Sequence, residues 1–119
     1  MLLYQGWSDA LNAPQSTINY YNNVRKLMGD AAISNSVRLF MAPGMAHCGY
    51  GKGPNTFDGV GVLAQWVEQA KVPDQIIASH ELPDGSVDRT RPLCPYPRVA
   101  RYSGTGSIDD ATNFVCKVP

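Results

Sequence analysis

The sequence predicts an α/β fold with a parallel sheet, because strand-like apolar runs alternate along the chain with stripes of helical spacing. Three short apolar runs, residues 2–4, 37–41 and 75–78, have the length and the turn boundaries of buried strands. Two intervening segments repeat apolar residues at intervals of three and four, as helices do. The length of 119 residues suits one domain, so we take residues 1–119 as a single unit.

The first strand is expected to end at Gly6, and the first helix is expected to begin at Pro14, since proline suits the first helical turn. Gly29 ends this helix. Its apolar stripe consists of Ile18, Tyr21, Val24 and Met28.

The second strand, residues 37–41, is followed by glycine-rich residues 42–56, which predict a long loop. A second helix follows, with Trp66 beside its apolar stripe, and Pro73 closes it before the third strand. That stripe consists of Phe57, Val60, Ala64 and Val67. From Pro83 onward the chain is turn-rich, with a short helical patch at residues 109–115.

Composition excludes some classes of function. The chain carries 10 basic and 10 acidic residues, and only 17% of residues are charged, so it lacks the basic footprint of a nucleic-acid-binding protein. Its apolar runs are far shorter than the ~20 residues of a membrane helix. The first seven residues show no signal-peptide pattern. We therefore expect neither nucleic acid nor membrane as a partner.

Two loops are expected to carry the chemistry, because functional residues of α/β sheets lie at the carboxyl ends of strands. Asp9 follows the first strand and His47 follows the second. An aspartate that orients a histidine forms the base half of a nucleophilic triad. The residues alone also allow a helix-capping Asp9 and a solvated His47. No Gly-x-Ser-x-Gly nucleophile motif is present, since neither Ser8 nor Ser103 matches it.

The three cysteines, Cys48, Cys94 and Cys116, show no zinc-site spacing. Their positions leave two interpretations open: three free thiols, or a Cys94–Cys116 bridge that fastens the C-terminal tail. In the second case, Cys48 needs a partner outside this chain.

Several segments resemble the tannase/feruloyl esterase family, whose members have the α/β-hydrolase fold. The most specific are residues 4–9 (YQGWSD), 39–49 (LFMAPGMAHCG) and 89–97 (RTRPLCPYP). Residues 57–58 (FD), 66–68 (WVE) and 111–116 (ATNFVC) also match. The resemblance extends over nearly the whole chain, but it covers only the C-terminal part of the family's catalytic domain.

The resemblance implies a secreted or periplasmic serine esterase that cleaves phenolic esters of the feruloyl or galloyl type. Carried over by motif, Asp9 is the triad acid and His47 the general base. Cys48 pairs with a cysteine beside the nucleophilic serine, and Cys94 pairs with Cys116.

The resemblance also implies that the nucleophile, the oxyanion hole and the calcium-binding lid lie upstream of Met1. We therefore expect no cofactor or metal in this chain, little activity from the chain alone, and self-association through an exposed sheet edge. The small-molecule partner of the complete enzyme would be an aryl ester. Trp7 neighbours Asp9, so we assign it a weak substrate contact.

Two other functions are kept as alternatives. A prolyl-oligopeptidase-type serine peptidase also ends in an Asp loop followed by a His loop, although it does not usually show the RPLCPYP string. A truncated product or interaction module without catalysis is the non-enzymatic alternative. A coding sequence upstream of Met1 that supplies a Cys-Ser motif would distinguish the enzyme from it.

Overall fold

A computed structural model describes residues 1–119, which form short two-stranded sheets and three α-helices. Strand β1 (Leu2–Gly6) pairs in parallel with β2 (Arg38–Ala42). Helices α1 (Pro14–Met28) and α2 (Asp30–Ser36) connect them. The strand–helix–strand unit at the start of the predicted α/β fold is therefore confirmed. None of the helices has the length and apolar character needed to span a membrane.

Strand β2 is buried on both faces, as strands of parallel sheets are. Because side chains alternate along a strand, its residues divide between two apolar clusters. On one face, Leu39 and Met41 pack with Val37 and with residues of the two helices, namely Ile18, Tyr21 and Ile33. On the other face, Phe40 and Ala42 pack with Met45, Ile76, Ala78 and Leu93.

Helix α1 begins at Pro14 as predicted and buries Ile18 and Tyr21. Met28, the last residue of the predicted stripe, is exposed. Gly29 ends the helix at a positive φ of 83°, which glycine adopts without steric cost. Helix α2 follows at once and was not predicted, because its seven residues contain a single large apolar side chain, Ile33, and so show no helical stripe.

Helix α3 (Gly59–Gln69) is capped by Asp58, whose carboxylate accepts a hydrogen bond of 2.7 Å from the Gly61 N–H. The predicted orientation of this helix is wrong. Val60 and Val67 are 82% and 75% exposed, whereas Trp66 is buried. Val62 on the same helix, and Phe57 just before it, pack against the cluster around Phe40.

The third predicted strand exists, but its predicted parallel pairing is wrong. It forms β5 (Ile76–Glu81), which pairs antiparallel with β6 (Val87–Leu93). Strand β6 lies in the segment that was predicted to be turns. Its Pro92 stands opposite Ile77 and cannot donate to the ladder, which is why the sequence does not resemble a strand.

The C-terminal segment forms a second antiparallel pair, β7 (Val99–Tyr102) with β8 (Phe114–Lys117). The predicted helical patch reduces to one 3₁₀ turn, Ala111–Asn113. A disulfide joins Cys94 to Cys116 with their Cα atoms 5.6 Å apart, so the disulfide-tied tail is confirmed.

The predicted long loop at residues 42–56 contains two short antiparallel strands, β3 (Met45–Ala46) and β4 (Gly49–Gly51). Because Ala46 pairs with Gly49, His47 and Cys48 form the two-residue turn between these strands. The imidazole is thus presented at the tip of a small hairpin.

Candidate active site

The end of β1 and the β3–β4 hairpin are in direct backbone contact. A Cβ atom added to Gly6 would lie 2.3 Å from the carbonyl oxygen of Met45, so only glycine permits this approach. Beyond it, the Ser8 N–H donates to that same Met45 oxygen at 3.0 Å, and the Trp7 N–H donates to Ala42 at 3.0 Å. These contacts hold the loop that carries Asp9 beside the hairpin.

Asp9 and His47 meet as the sequence predicts for two loops at the ends of parallel strands. The distance from His47 Nδ1 to Asp9 Oδ2 is 2.9 Å. The Asp9 side chain is only 2% exposed, whereas that of His47 is 40% exposed. An ionised carboxylate only accepts hydrogen bonds, so Nδ1 carries the proton and Nε2 keeps a free lone pair. This tautomer is the one that a general base requires.

Four donors surround the Asp9 carboxylate. Oδ1 accepts from the backbone N–H groups of Leu11 at 2.8 Å and Asn12 at 2.9 Å. Oδ2 accepts from Gln5 Nε2 at 2.7 Å and from His47. Asp9 therefore closes the turn after β1 and holds the imidazole, but it does not cap helix α1, whose N-cap is Ala13 and receives no side-chain hydrogen bond.

These donors hold the pKa of Asp9 well below the usual carboxyl range. The Asn12 N–H is the main cause, and removal of the carboxylate from water opposes it. The hydrogen bonds from His47, Leu11 and Gln5 lower the pKa further. The carboxylate consequently stays ionised at neutral pH.

Cys48 lies in the same site as the dyad. It lines, with Asp9 and His47, a small cavity of about 200 Å³ beside Tyr4. Its thiol is free and exposed, and its backbone adopts a positive φ of 56°. The structure therefore brings together Asp9, His47 and Cys48.

Trp7 lies elsewhere. Its side chain lines a separate cavity of about 430 Å³, together with Tyr96, Phe114 and Arg91, and this cavity shares no lining residue with that of the dyad. Cys94 also lines the Trp7 cavity. The weak substrate contact assigned to Trp7 thus concerns a different surface from the one around His47.

Two polar residues near the dyad were missed in the sequence. Gln5 donates to Asp9, and its own carbonyl oxygen accepts from the hydroxyl of Thr17 at 3.0 Å. The available signal was a polar side chain near the end of an otherwise apolar strand, four residues before Asp9. A polar side chain at such a position needs hydrogen-bond partners when it is removed from water.

A second histidine–aspartate pair lies on the β5–β6 hairpin. His80 Nδ1 is 2.6 Å from Asp88 Oδ1, and Arg89 Nη1 is 3.3 Å from the other carboxylate oxygen. The sequence assigned no role to His80. No group of three His, Cys, Asp or Glu side chains lies close enough together to hold a metal ion.

Comparisons with known proteins agree on one family. The family model described as "Tannase and feruloyl esterase" matches residues 1–117. The chain is 46% identical over its whole length to mono(2-hydroxyethyl) terephthalate hydrolase from Piscinibacter sakaiensis. It is 38% identical, over 98% of its length, to a probable feruloyl esterase from Arthroderma benhamiae.

Solved structures agree with this relationship. An esterase from Aspergillus oryzae superposes on 98% of the chain with a TM-score of 0.88 and 28% identity. Feruloyl esterase B from the same organism gives 0.84 over 98% of the chain, with 31% identity.

The chain is much shorter than these proteins. It covers 20% and 22% of the two curated relatives, and 27% and 26% of the two structures. Each of these alignments nevertheless includes nearly every residue of this chain. The chain belongs to the tannase and feruloyl esterase family.

Proposed function

We propose that the complete polypeptide containing this chain is a serine ester hydrolase that cleaves phenolic esters of the feruloyl or galloyl type. The observation that carries the proposal is the 2.9 Å contact between His47 Nδ1 and the buried carboxylate of Asp9. Family membership supports ester hydrolysis over the peptidase alternative. The names of the relatives, a terephthalate hydrolase and a feruloyl esterase, support an ester of an aromatic acid.

In the proposed mechanism, Nε2 of His47 takes the hydroxyl proton from a serine in the remainder of the polypeptide. The serine oxygen attacks the ester carbonyl, and the imidazolium gives its proton to the departing alcohol as the carbon–oxygen bond breaks. An acyl-enzyme remains. His47 then deprotonates a water that attacks the acyl carbon, and returns the proton to serine as the aromatic acid leaves.

Asp9 keeps its charge throughout this cycle. Its pKa lies well below the usual range, so it does not compete for the proton on His47. Its negative charge stabilises the imidazolium and its hydrogen bond fixes the tautomer. The chain on its own supplies the acid and the base without the nucleophile. Since removal of a nucleophile costs about 10⁶ in kcat, we expect the isolated chain to be inactive.

Cys48 adds a proposal about the compartment. It is free and exposed beside His47, which supports pairing with a cysteine next to the serine nucleophile of the complete protein. The Cys94–Cys116 bridge also favours an oxidising environment. We therefore propose a secreted or periplasmic location.

The test uses the complete polypeptide, expressed from its full coding sequence. We would measure hydrolysis of methyl ferulate, methyl gallate and mono(2-hydroxyethyl) terephthalate, and label the reactive serine with a fluorophosphonate. We expect hydrolysis of an aromatic ester, with His47→Ala inactive and His80→Ala close to the unsubstituted protein. Retained activity in His47→Ala would refute the assigned base. If only the terephthalate is cleaved, the esterase class stands and the phenolic substrate is wrong.

A further inference from the structure

We propose that Gln5 and Thr17 are positioning residues, which orient the Asp9 carboxylate and, through it, the imidazole of His47. The proposal rests on the proposed function of Asp9 and His47 as the acid and base of an esterase. Gln5 lies on β1 and Thr17 in the first turns of α1, so both stand outside the loops that carry the dyad.

The amide of Gln5 contacts the same carboxylate oxygen as the histidine. Its Nε2 lies 2.7 Å from Asp9 Oδ2, to which His47 Nδ1 also donates. The same nitrogen lies 3.5 Å from the carbonyl oxygen of Asn12. The oxygen that determines the orientation of His47 is therefore itself held by a second donor.

The Asp9 carboxylate determines which end of the Gln5 amide faces it, and the Thr17 hydroxyl stabilises that orientation. A carboxylate only accepts, so the amide nitrogen of Gln5 has to face it and the amide oxygen has to face away. That oxygen accepts the Thr17 hydroxyl at 3.0 Å. In the reversed orientation, the amide oxygen would stand against the carboxylate, and the Gln5 hydrogen bond to Oδ2 would be lost. The hydrogen bonds therefore run in one direction, from Thr17 through Gln5 to Asp9.

This relay connects the dyad to the regular structure of the fold. The donors to Asp9 Oδ1 are backbone groups of Leu11 and Asn12, which lie between β1 and α1 in no helix or strand. Gln5 and Thr17 belong instead to elements fixed by the apolar core; Ile18, next to Thr17, is fully packed in it. A catalytic carboxylate held from a strand and a helix keeps its geometry better than one held by its loop alone.

The first test is kinetic and uses the complete polypeptide. Gln5→Met removes the donor at similar length, Thr17→Val removes the hydroxyl at similar shape, and Thr17→Ser retains it. We expect kcat to fall about two- to tenfold in the first two variants, which corresponds to the net free energy of one hydrogen bond, while KM stays unchanged. Thr17→Ser, which keeps the hydroxyl, should have the kcat of the unsubstituted protein. The matched control is Gln15→Met on the exposed side of α1, where Gln15 donates only to Asn19.

The second test needs no ester hydrolysis. Diethyl pyrocarbonate acylates the free nitrogen of a neutral imidazole, and peptide mass spectrometry reports the rate at His47 and at His80 in one sample. His80 pairs with Asp88 and serves as the internal reference. We expect the His47 rate to fall relative to His80 in Gln5→Met and Thr17→Val, because an imidazole held less firmly by Asp9 spends less time with Nε2 free and facing solvent.

The outcomes separate this proposal from the proposed function. If kcat and the His47-to-His80 ratio are unchanged while the melting temperature falls, Gln5 and Thr17 are structural only and the proposal is overturned. An increased His47 rate would overturn it as well. If no ester is hydrolysed but the ratio falls, the positioning role stands and the esterase function is rejected.

Discussion

Asp9 Oδ2 and His47 Nδ1 lie 2.9 Å apart, although the two residues are separated by 38 positions in the chain. The approach depends on Gly6, which lets the Met45 carbonyl come within contact of the β1 backbone. The dyad therefore forms because the end of β1 and the β3–β4 hairpin are held in direct contact.

The role of Asp9 is tested with Asp9→Asn in the complete polypeptide. An amide at this position cannot hold the Nδ1–H tautomer, and we expect kcat to fall by about 10⁴. Steady-state kinetics on an aromatic ester measures the loss. Asp88→Asn, which changes the other histidine–aspartate pair, is the control and should retain activity. Equal losses in the two variants would show that the assignment of the acid is wrong.

Acid titration should reveal the low pKa of Asp9 as a stability effect. The folded state binds this proton less readily than the unfolded chain, so the contribution is present above the ordinary carboxyl pKa of about 4 and is lost as pH falls through the lower, folded-state value. We expect the difference in free energy of unfolding between the unsubstituted chain and Asp9→Asn to be largest near neutrality. Urea denaturation at a series of pH values measures it. A difference that grows on acidification would contradict this sign.

Gly6→Ala should destabilise the chain and displace the hairpin that carries His47. The new Cβ would meet the Met45 carbonyl at 2.3 Å, and relief of such a collision costs about 1–3 kcal/mol. Thermal or urea unfolding measures the loss. Gly59→Ala is the matched control, because its Cβ finds only ordinary contact with Phe57 at 3.6 Å. Equal stability of the two variants would mean that the close approach is unimportant.

The Cys94–Cys116 bridge should make a measurable contribution to stability. Its partners are 22 positions apart, and a bridge closing a loop of that size contributes about 3 kcal/mol. We expect Cys94→Ser with Cys116→Ser to lose about that amount, and Cys48→Ser to lose little. The intact mass should rise by two hydrogens on reduction. Two free thiols at these positions in oxidised protein would contradict the pairing.

The isolated chain should self-associate. Strand β1 pairs with β2 alone, and Val60, Leu63 and Val67 form an exposed apolar stripe on α3. We expect sedimentation to show concentration-dependent oligomers, with a covalent fraction through Cys48 that reductant removes. Cys48→Ser should retain the non-covalent part, and Val67→Lys should weaken it. A monomer at every concentration would refute the proposed association.

The sequence correctly predicted those elements whose apolar residues repeat at one regular spacing, either that of a strand or that of a helix. Pro14 opens α1 where expected, and β1 and β2 lie close to their predicted positions, because their apolar runs were bounded by turn residues. Strand β6 was missed because Pro92 interrupts its pattern. The buried side of α3 was misassigned because Val60 and Val67 of the predicted stripe face solvent, whereas Trp66 beside it is buried.

By itself, the sequence determined that an aspartate and a histidine follow two successive strands, and its motifs indicated the family and the cysteine pairing. Only the tertiary structure decided that Asp9 is buried, that His47 Nδ1 lies against its carboxylate, and that Gln5 and Thr17 complete the hydrogen bonds. It also placed Trp7 against a different cavity. The physical reason is that periodicity reports which side of an element is apolar, whereas hydrogen bonds between distant loops depend on how the elements pack.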